Sequence, residues 1–271
     1  MKFSFFFLCI ALSLLQGCSK TTEPQQQSAQ PLVKAEAEQQ AVSQRIKLNK
    51  DWLFAKASGV DAMPQSADWQ PVSLPHTPQI EPMLVNNQWQ GIAWYQKTLS
   101  WQADWQDKVV LLRFEAAMNV AEVFLNGEQI GHHLGGYLPF TLDLTEKLIP
   151  GRDNLLQVKL DNRDNPVTGP KPLAQLDFNT YGGLYRDVNL LVKDALHISD
   201  EMLANETAGG GIFVTYPQVS AEQATLNIQT HLVNRYSESQ QPVLQQQLYY
   251  QDQLVAEVSS DTTHLPTGHL T

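Results

Sequence analysis

The segment Asp177-Phe178-Asn179-Thr180-Tyr181-Gly182-Gly183-Leu184-Tyr185-Arg186-Asp187-Val188 has the greatest influence on how this chain can fold. It joins a loop rich in proline, glycine and asparagine, residues 162–172, to an apolar run from Val188 to Val192 that is typical of a β-strand. Gly182-Gly183 lets the backbone turn where a Cβ would clash, so the next strand begins in a fixed direction. The pattern predicts a loop at the rim of a sheet, where Asp177 can face a ligand. A carboxylate before a strand is also a common turn former, and this interpretation stays open.

Short apolar runs separated by turn residues lie on both sides of this segment. Val109 to Phe114 and Ala121 to Leu125 are strand-like, and Asn126-Gly127 is a strong hairpin signal because both residues tolerate a positive φ. From Leu156 to Leu160 apolar and polar residues alternate, as expected for a strand with one buried and one wet face. Many short strands, clear turns and no long helical period predict an all-β protein built as a β-sandwich.

Three motifs that lie far apart in the sequence carry a resemblance to one protein family. They are Gly-Gly-Leu-Tyr-Arg-Asp-Val at 182–188, Trp-x-x-Val-x-Leu-Pro-His-Thr at 69–77, and Gly-Ile-Ala-Trp-Tyr-Gln at 91–96. Together they resemble the N-terminal domain of glycoside hydrolase family 2, the family of β-galactosidases and β-glucuronidases. The resemblance implies a sugar-binding jelly-roll sandwich, which we place at residues 45–194.

A second set of strands is predicted after residue 195. It resembles the immunoglobulin-like sandwich that follows the sugar-binding domain in the family, and such a sandwich has about seven strands. In residues 195–271 only about four or five are predicted, so we expect this domain to be truncated and poorly stable alone. The clearest runs are Ile212 to Tyr216, Ala224 to Val233, Val243 to Tyr250 and Leu254 to Val258.

The resemblance implies two sugar contacts. Asp177 stands where the family has an aspartate that contacts the sugar, and Gln88 stands where β-galactosidases carry an asparagine. Some β-galactosidases of the family use Na or Mg near this aspartate, but we expect no cofactor in this chain. No metal site is predicted either, because His132-His133 are adjacent and point to opposite faces of a strand. His76 lies beside a proline in a loop, and we predict a structural role for it.

No catalytic residue is predicted. Retaining enzymes of the family use two glutamates about 5 Å apart at the mouth of a TIM barrel of about 250 residues, and nothing after Asp194 resembles such a barrel. Asn205-Glu206 matches the usual acid/base dipeptide, but it precedes Gly209-Gly210-Gly211 in a loop, and we interpret the match as coincidence. The chain is therefore expected to be the non-catalytic N-terminal portion of a β-galactosidase-like hydrolase.

Two other functions stay open. The first is a surface lipoprotein that binds carbohydrate without enzymatic activity, using Asp177 and an aromatic residue such as Tyr181. The second is a pair of structural spacers without a ligand. The sequence indicates neither the sugar nor the oligomeric state.

Composition and charge exclude other classes of function. The 271-residue chain carries a formal net charge of −10, whereas phosphate binding needs a basic stripe, so nucleic acid is excluded as a partner. Both cysteines, Cys9 and Cys18, lie near the N-terminus. The folded part is thus expected to hold no disulfide, no thiolate metal site and no nucleophilic cysteine.

The N-terminus has the pattern of an export signal. Lys2 precedes an apolar run, Phe3 to Leu15, that is too short to span a bilayer permanently. Leu15-Gln16-Gly17-Cys18 resembles a bacterial lipobox, which implies a signal peptide at residues 1–18, lipid on Cys18, and a place in the outer membrane or periplasm of a Gram-negative cell. Ordinary secretion with cleavage nearby is the alternative. Residues 19–44, rich in glutamine, alanine and serine, are predicted to form a flexible tether.

Overall fold

A computed structural model describes residues 2–4, 43–59, 62–80, 88–168, 175–176, 180–261 and 264–268. Their regular structure is almost entirely β-strand, with two 3₁₀ turns (Ser66–Asp68 and Ala103–Trp105) and one short helix, α1 (Glu201–Ala204). The predicted all-β class is confirmed. The strands are β1 (Lys2–Ser4), β2 (Ser43–Lys47), β3 (Trp52–Ala57), β4 (Gln70–Val72), β5 (Ile92–Ser100), β6 (Val109–Phe114), β7 (Val120–Leu125), β8 (Glu128–Leu134), β9 (Phe140–Asp143), β10 (Asp153–Asp161), β11 (Val188–Lys193), β12 (Leu196–Ile198), β13 (Ile212–Val219), β14 (Ala224–Asn234), β15 (Gln245–Tyr250) and β16 (Gln253–Ser259).

Two antiparallel sheets face each other in the first part of the chain. One has the strand order β4-β3-β5-β10-β7-β8 and the other β2-β11-β6-β9. The core between them includes Trp52, Tyr95 and Phe114, each with no exposed surface. This is the predicted sandwich. The strand predicted after the Gly-Gly motif is β11, which starts at Val188 and pairs with both β2 and β6.

The predicted alternation in β10 is only half right. Leu156, Val158 and Leu160 point into the core as expected. Gln157, however, is also buried and not wet, because β10 lies in the middle of its sheet between β5 and β7. Its amide donates to the side-chain oxygen of Gln96 across the strand pair, at 3.5 Å.

The hairpin predicted at Asn126-Gly127 joins β7 to β8. Both residues have a positive φ, 53° and 87°, as the turn signal requires. In β8 the two neighbouring histidines point to opposite faces: His132 is exposed, while the His133 ring stacks on Phe140 with centroids 4.4 Å apart. They cannot chelate one ion from one face.

The second part of the chain contains a four-stranded sheet and a separate hairpin. β14 is the centre of the sheet, with β1, β12 and β13 as its partners, and β15 pairs with β16. All four strand-like runs predicted after residue 195 are present. Large apolar side chains on this part are exposed, including those of Tyr216, Val219 and Tyr250. No helix in the described residues is long and apolar enough to cross a membrane.

Ion pairs join the two parts at the open face of the β2-β11-β6-β9 sheet. The Arg113 guanidinium on β6 contacts Asp200 at 3.1 Å and Glu201 at 2.6 Å, and Arg235, directly after β14, contacts Asp143 at 2.7 Å. Asp200 also caps α1, because its carboxylate accepts hydrogen bonds from the backbone N–H groups of the first turn. The buried carboxylate thus has both ionic and backbone partners.

His197 lies at this junction and is buried with 7% of its surface exposed. Its Nδ1 lies 2.7 Å from the carbonyl oxygen of Asp194 and donates a hydrogen bond to it. Burial, with the nearby Lys193 ammonium as a smaller cause, lowers the pKa of His197 to about 4 from an ordinary 6.5. The folded protein therefore holds a neutral imidazole, whereas the unfolded chain binds a proton there below about pH 6.5.

We predict that acid destabilises the fold through His197. Protonation favours the unfolded state as the pH falls from about 6.5 towards 4, which amounts to about 2 kcal/mol of unfolding free energy at about pH 5. In His197→Asn the amide keeps a donor near the Nδ1 position but does not titrate. Urea unfolding at pH 7 and pH 5 should show a clearly smaller loss for this variant than for the natural chain. The exposed His132→Asn is the control, and equal losses in all three proteins would contradict the prediction.

Candidate functional site

Of the residues predicted to bind sugar or lipid, Gln88 is placed by the structure, whereas Asp177 and Cys18 lie outside the described residues. Gln88 is buried, with 8% of its surface exposed. Its Oε1 accepts a hydrogen bond of 3.0 Å from the backbone N–H of Thr180. Its Nε2 is buried and has no hydrogen-bond partner among the residues that the structure describes. The amide thus lies against the loop that enters the Gly-Gly motif.

Asn162, directly after β10, holds the two loops of the site together. Its Oδ1 accepts from the backbone N–H of Gly91 at 2.8 Å, and its Nδ2 donates to the carbonyl oxygen of Trp89 at 2.9 Å. Gly182 packs on the same amide so closely that a Cβ there would lie 2.6 Å from Asn162 Nδ2. Sequence reasoning missed Asn162, since an asparagine in a Pro/Gly-rich loop carries no signal of this role.

A cavity of about 340 Å³ opens beside the Gly-Gly motif. Its wall is mainly apolar and aromatic, and its volume falls in the range of small-molecule sites. Thr180 belongs to this wall, so the loop held by Gln88 also borders the cavity. The lining residues are Pro75, His76, Thr77, Met118, Tyr137, Thr180, Tyr181 and Tyr185.

Gly183 packs closely against His76, one of the residues that line this cavity. The φ of Gly183 is +104°, and a Cβ would lie 2.6 Å from the carbonyl oxygen of His76 and 2.7 Å from the hydroxyl oxygen of Tyr95. The backbone N–H and C=O of Gly183 also exchange hydrogen bonds with Met118, both 3.1 Å long. The predicted need for a residue without a Cβ at this turn is met at Gly183.

His76 and Tyr95 form a pair beneath Gly183. The His76 Nδ1 lies 2.9 Å from the Tyr95 hydroxyl oxygen. The backbone N–H of His76 donates to the carbonyl oxygen of Leu184 at 2.8 Å. Burial lowers the pKa of His76 and raises the pKa of Tyr95, so the imidazole and the phenol are both uncharged near pH 7.

Two further features bear on catalytic and metal-binding chemistry: the Asn205-Glu206 dipeptide and clusters of His, Cys, Asp or Glu side chains. Asn205 has a φ of 48° and ends helix α1, so Asn205-Glu206 lies in a turn. In the part of the chain that the structure describes, no group of three or more His, Cys, Asp or Glu side chains could hold a metal ion.

Comparison with known proteins decides the family. The model of the sugar-binding domain of glycosyl hydrolases family 2 matches residues 45–194. The chain belongs to this family. It is 30% identical over 238 residues to a β-glucuronidase of Formosa agariphila, covering 81% of this chain and 24% of that protein. It is 32% identical over 161 residues to a β-galactosidase of Thermoanaerobacter pseudethanolicus, covering 57% of this chain and 22% of that protein.

Solved structures of family 2 share the same fold. A Bacteroides uniformis β-glucuronidase 2, covalently bound to cyclophellitol-6-carboxylate aziridine, superposes with a TM-score of 0.73 at 29% identity, over 84% of this chain and 27% of that chain. The family predicted from the three motifs, with its N-terminal β-sandwich, is confirmed. The chain spans about a quarter of the length of the curated relatives it matches.

Proposed function

We propose that this chain supplies the carbohydrate-binding, non-catalytic part of a family 2 glycosidase that hydrolyses β-galactosides or β-glucuronides. The observation that supports this most is the aromatic cavity beside the Gly-Gly motif, within the region matched by the family's sugar-binding domain. In this proposal the two catalytic glutamates belong to a TIM barrel of the same enzyme. The matched relatives include a β-glucuronidase and a β-galactosidase, so the test uses both a glucuronide and a galactoside.

The proposed role of the chain is to orient the sugar at the edge of the catalytic site. Gln88 holds the loop that borders the cavity through its hydrogen bond from the Thr180 N–H, and it remains a proposed sugar contact. Asp177, three residues before Thr180 in the sequence, remains a proposed sugar contact. Holding the sugar hydroxyls in one orientation lowers the entropy cost of reaching the transition state, although neither residue takes part in bond breaking.

The purified chain is expected to bind methyl β-D-galactoside or methyl β-D-glucuronide weakly and to hydrolyse neither the galactoside nor the glucuronide of an aryl alcohol. Ligand-observed NMR measures the binding, and release of the aryl group measures hydrolysis. Hydrolysis that disappears when a carboxylate of this chain, such as Glu206, is mutated would overturn the non-catalytic role. Absence of binding to both sugars would overturn the carbohydrate-binding role.

We predict that Gln88→Ala weakens sugar binding about three- to tenfold, the effect of losing one hydrogen bond. The change also removes the acceptor for the Thr180 N–H, so the loop beside the cavity loses a restraint. The matched control is Gln129→Ala on β8, where the side chain is exposed. If the Gln88 variant binds as tightly as the Gln129 variant, the proposed contact is wrong.

We also propose that the chain is exported and anchored by lipid on Cys18. Stable anchoring needs two or more acyl chains, which a modified N-terminal cysteine can carry. Incorporation of a labelled fatty acid in a Gram-negative host should be lost in Cys18→Ser and kept in Cys9→Ser. Label that persists in Cys18→Ser would disprove this anchor.

A further inference from the structure

We propose that His76 presents its Nε2–H group as a fixed hydrogen-bond donor to a sugar hydroxyl in the tyrosine-lined cavity. This inference rests on the proposed carbohydrate binding and adds a residue for which the sequence predicts only a structural role. It follows from three observations: the partner of Nδ1, the accessibility of Nε2 and the chemistry of the cavity wall.

The Tyr95 hydroxyl determines which nitrogen of His76 carries the proton. The Tyr95 side chain is completely buried, and its hydroxyl oxygen lies 2.9 Å from His76 Nδ1. If His76 donated to this hydroxyl through Nδ1, the phenolic O–H would be left without an acceptor among the described residues. An unsatisfied buried donor costs about 1–3 kcal/mol, so Tyr95 donates to Nδ1. A neutral imidazole carries one N–H, which therefore lies on Nε2.

The Nε2 atom is free to meet a ligand. The His76 ring lines the cavity, and its one hydrogen bond within the described structure is the one through Nδ1. The side chain of His76 is half-buried, and Nε2 is the ring nitrogen left for the cavity once Nδ1 is bonded to Tyr95. The ring cannot easily turn away, because it is held between Phe54 and Tyr95 with centroids 4.7 and 5.6 Å away. The donor is thus both accessible and fixed in direction.

The surrounding wall selects the class of ligand. The rings of Tyr137, Tyr181 and Tyr185 and the side chain of Met118 offer apolar and aromatic surface, which suits the C–H face of a pyranose. A donor of fixed direction in such a wall is typical of sites that fix the orientation of a mostly apolar face. A ligand with hydroxyl acceptors on one edge of a ring, that is a neutral or uronic sugar, meets both requirements.

The first test needs no ligand. Long-range ¹H–¹⁵N spectra of the histidine-labelled full chain at neutral pH should show His76 with an unprotonated Nδ1 and a protonated Nε2. Tyr95→Phe, which removes the phenolic donor, should shift the ring towards a mixture of tautomers. A protonated Nδ1 in the natural chain would overturn the inference.

The second test measures binding of methyl β-D-galactoside and methyl β-D-glucuronide by NMR titration. His76→Phe keeps a ring but lacks the donor, and it should bind the sugar about tenfold more weakly. His76→Gln places an amide N–H near the Nε2 position and should recover most of this loss. Thermal unfolding checks that both variants are folded.

The outcomes separate the two proposals. If a sugar binds and His76→Phe binds it as tightly as the natural chain, the donor role of His76 is wrong while the proposed function stands. If the folded natural chain binds neither sugar, the carbohydrate-binding function fails, and the proposed role of His76 fails with it. Binding that is weakened in His76→Phe and restored in His76→Gln supports both.

Discussion

Replacing Gly183 by alanine is expected to destabilise the β-sandwich by about 3 kcal/mol, the largest effect we expect from adding a single methyl group. Two costs add up. An alanine at φ +104° is strained by about 1 kcal/mol or more. The new Cβ would also lie 2.6 Å from a backbone oxygen of His76 and 2.7 Å from the buried Tyr95 hydroxyl. The backbone carbonyl of His76 and the hydroxyl of the buried Tyr95 cannot easily move aside, so overpacking adds about 1–3 kcal/mol.

Gly135→Ala is the matched control for this variant. Gly135 has almost the same φ, +106°, but nothing lies within 4 Å of the position of its Cβ. The Gly135→Ala variant should therefore lose only the stability that corresponds to backbone strain, about 1 kcal/mol. Urea unfolding of both variants separates the two costs, and equal destabilisation would show that the close approach at Gly183 is unimportant. The Gly183 variant should also weaken sugar binding, since His76 and Tyr95 must move.

Replacing Arg113 by methionine is expected to destabilise the junction of the two parts by about 3 kcal/mol. The Arg113 side chain is 12% exposed and that of Asp200 only 2%, so the change leaves a carboxylate buried without its cation. Removing one partner of a buried pair typically costs about 3–5 kcal/mol. The lower end applies here because Asp200 still accepts two backbone hydrogen bonds from α1. By contrast, the Lys47–Asp187 pair is 62% and 34% exposed and should matter little.

A second substitution tests the mechanism of this loss. Adding Asp200→Asn to Arg113→Met removes the uncompensated charge, so the double variant should be more stable than the single one. Arg152→Met, in an exposed turn, is the control for loss of a guanidinium and should leave stability unchanged. Thermal unfolding measures all three, and a double variant less stable than Arg113→Met would refute the buried-charge explanation.

The candidate site was only partly predictable. The Gly-Gly turn was found because it belongs to a recognisable motif, whereas Gln88 was placed by its spacing to the 91–96 motif and its contact with sugar stays a prediction. Asn162, Tyr95 and the donor role of His76 were not found, since their partners lie far away in the sequence. Asn162 meets Gly91 across 71 positions, and Gln88 meets Thr180 across 92. No local pattern reports such contacts, because they depend on how two sheets and their loops pack.

The sequence by itself determined the all-β class, the family and the positions of most strands. These properties depend on alternation, turn residues and short motifs, which act over a few neighbouring positions. Only the tertiary structure decided that Gln157 is buried, that Arg113 meets Asp200, and that Tyr95 directs the proton of His76. Burial and hydrogen bonding between strands distant in the chain arise when the sheets close on one another, and a linear pattern of residues does not specify them.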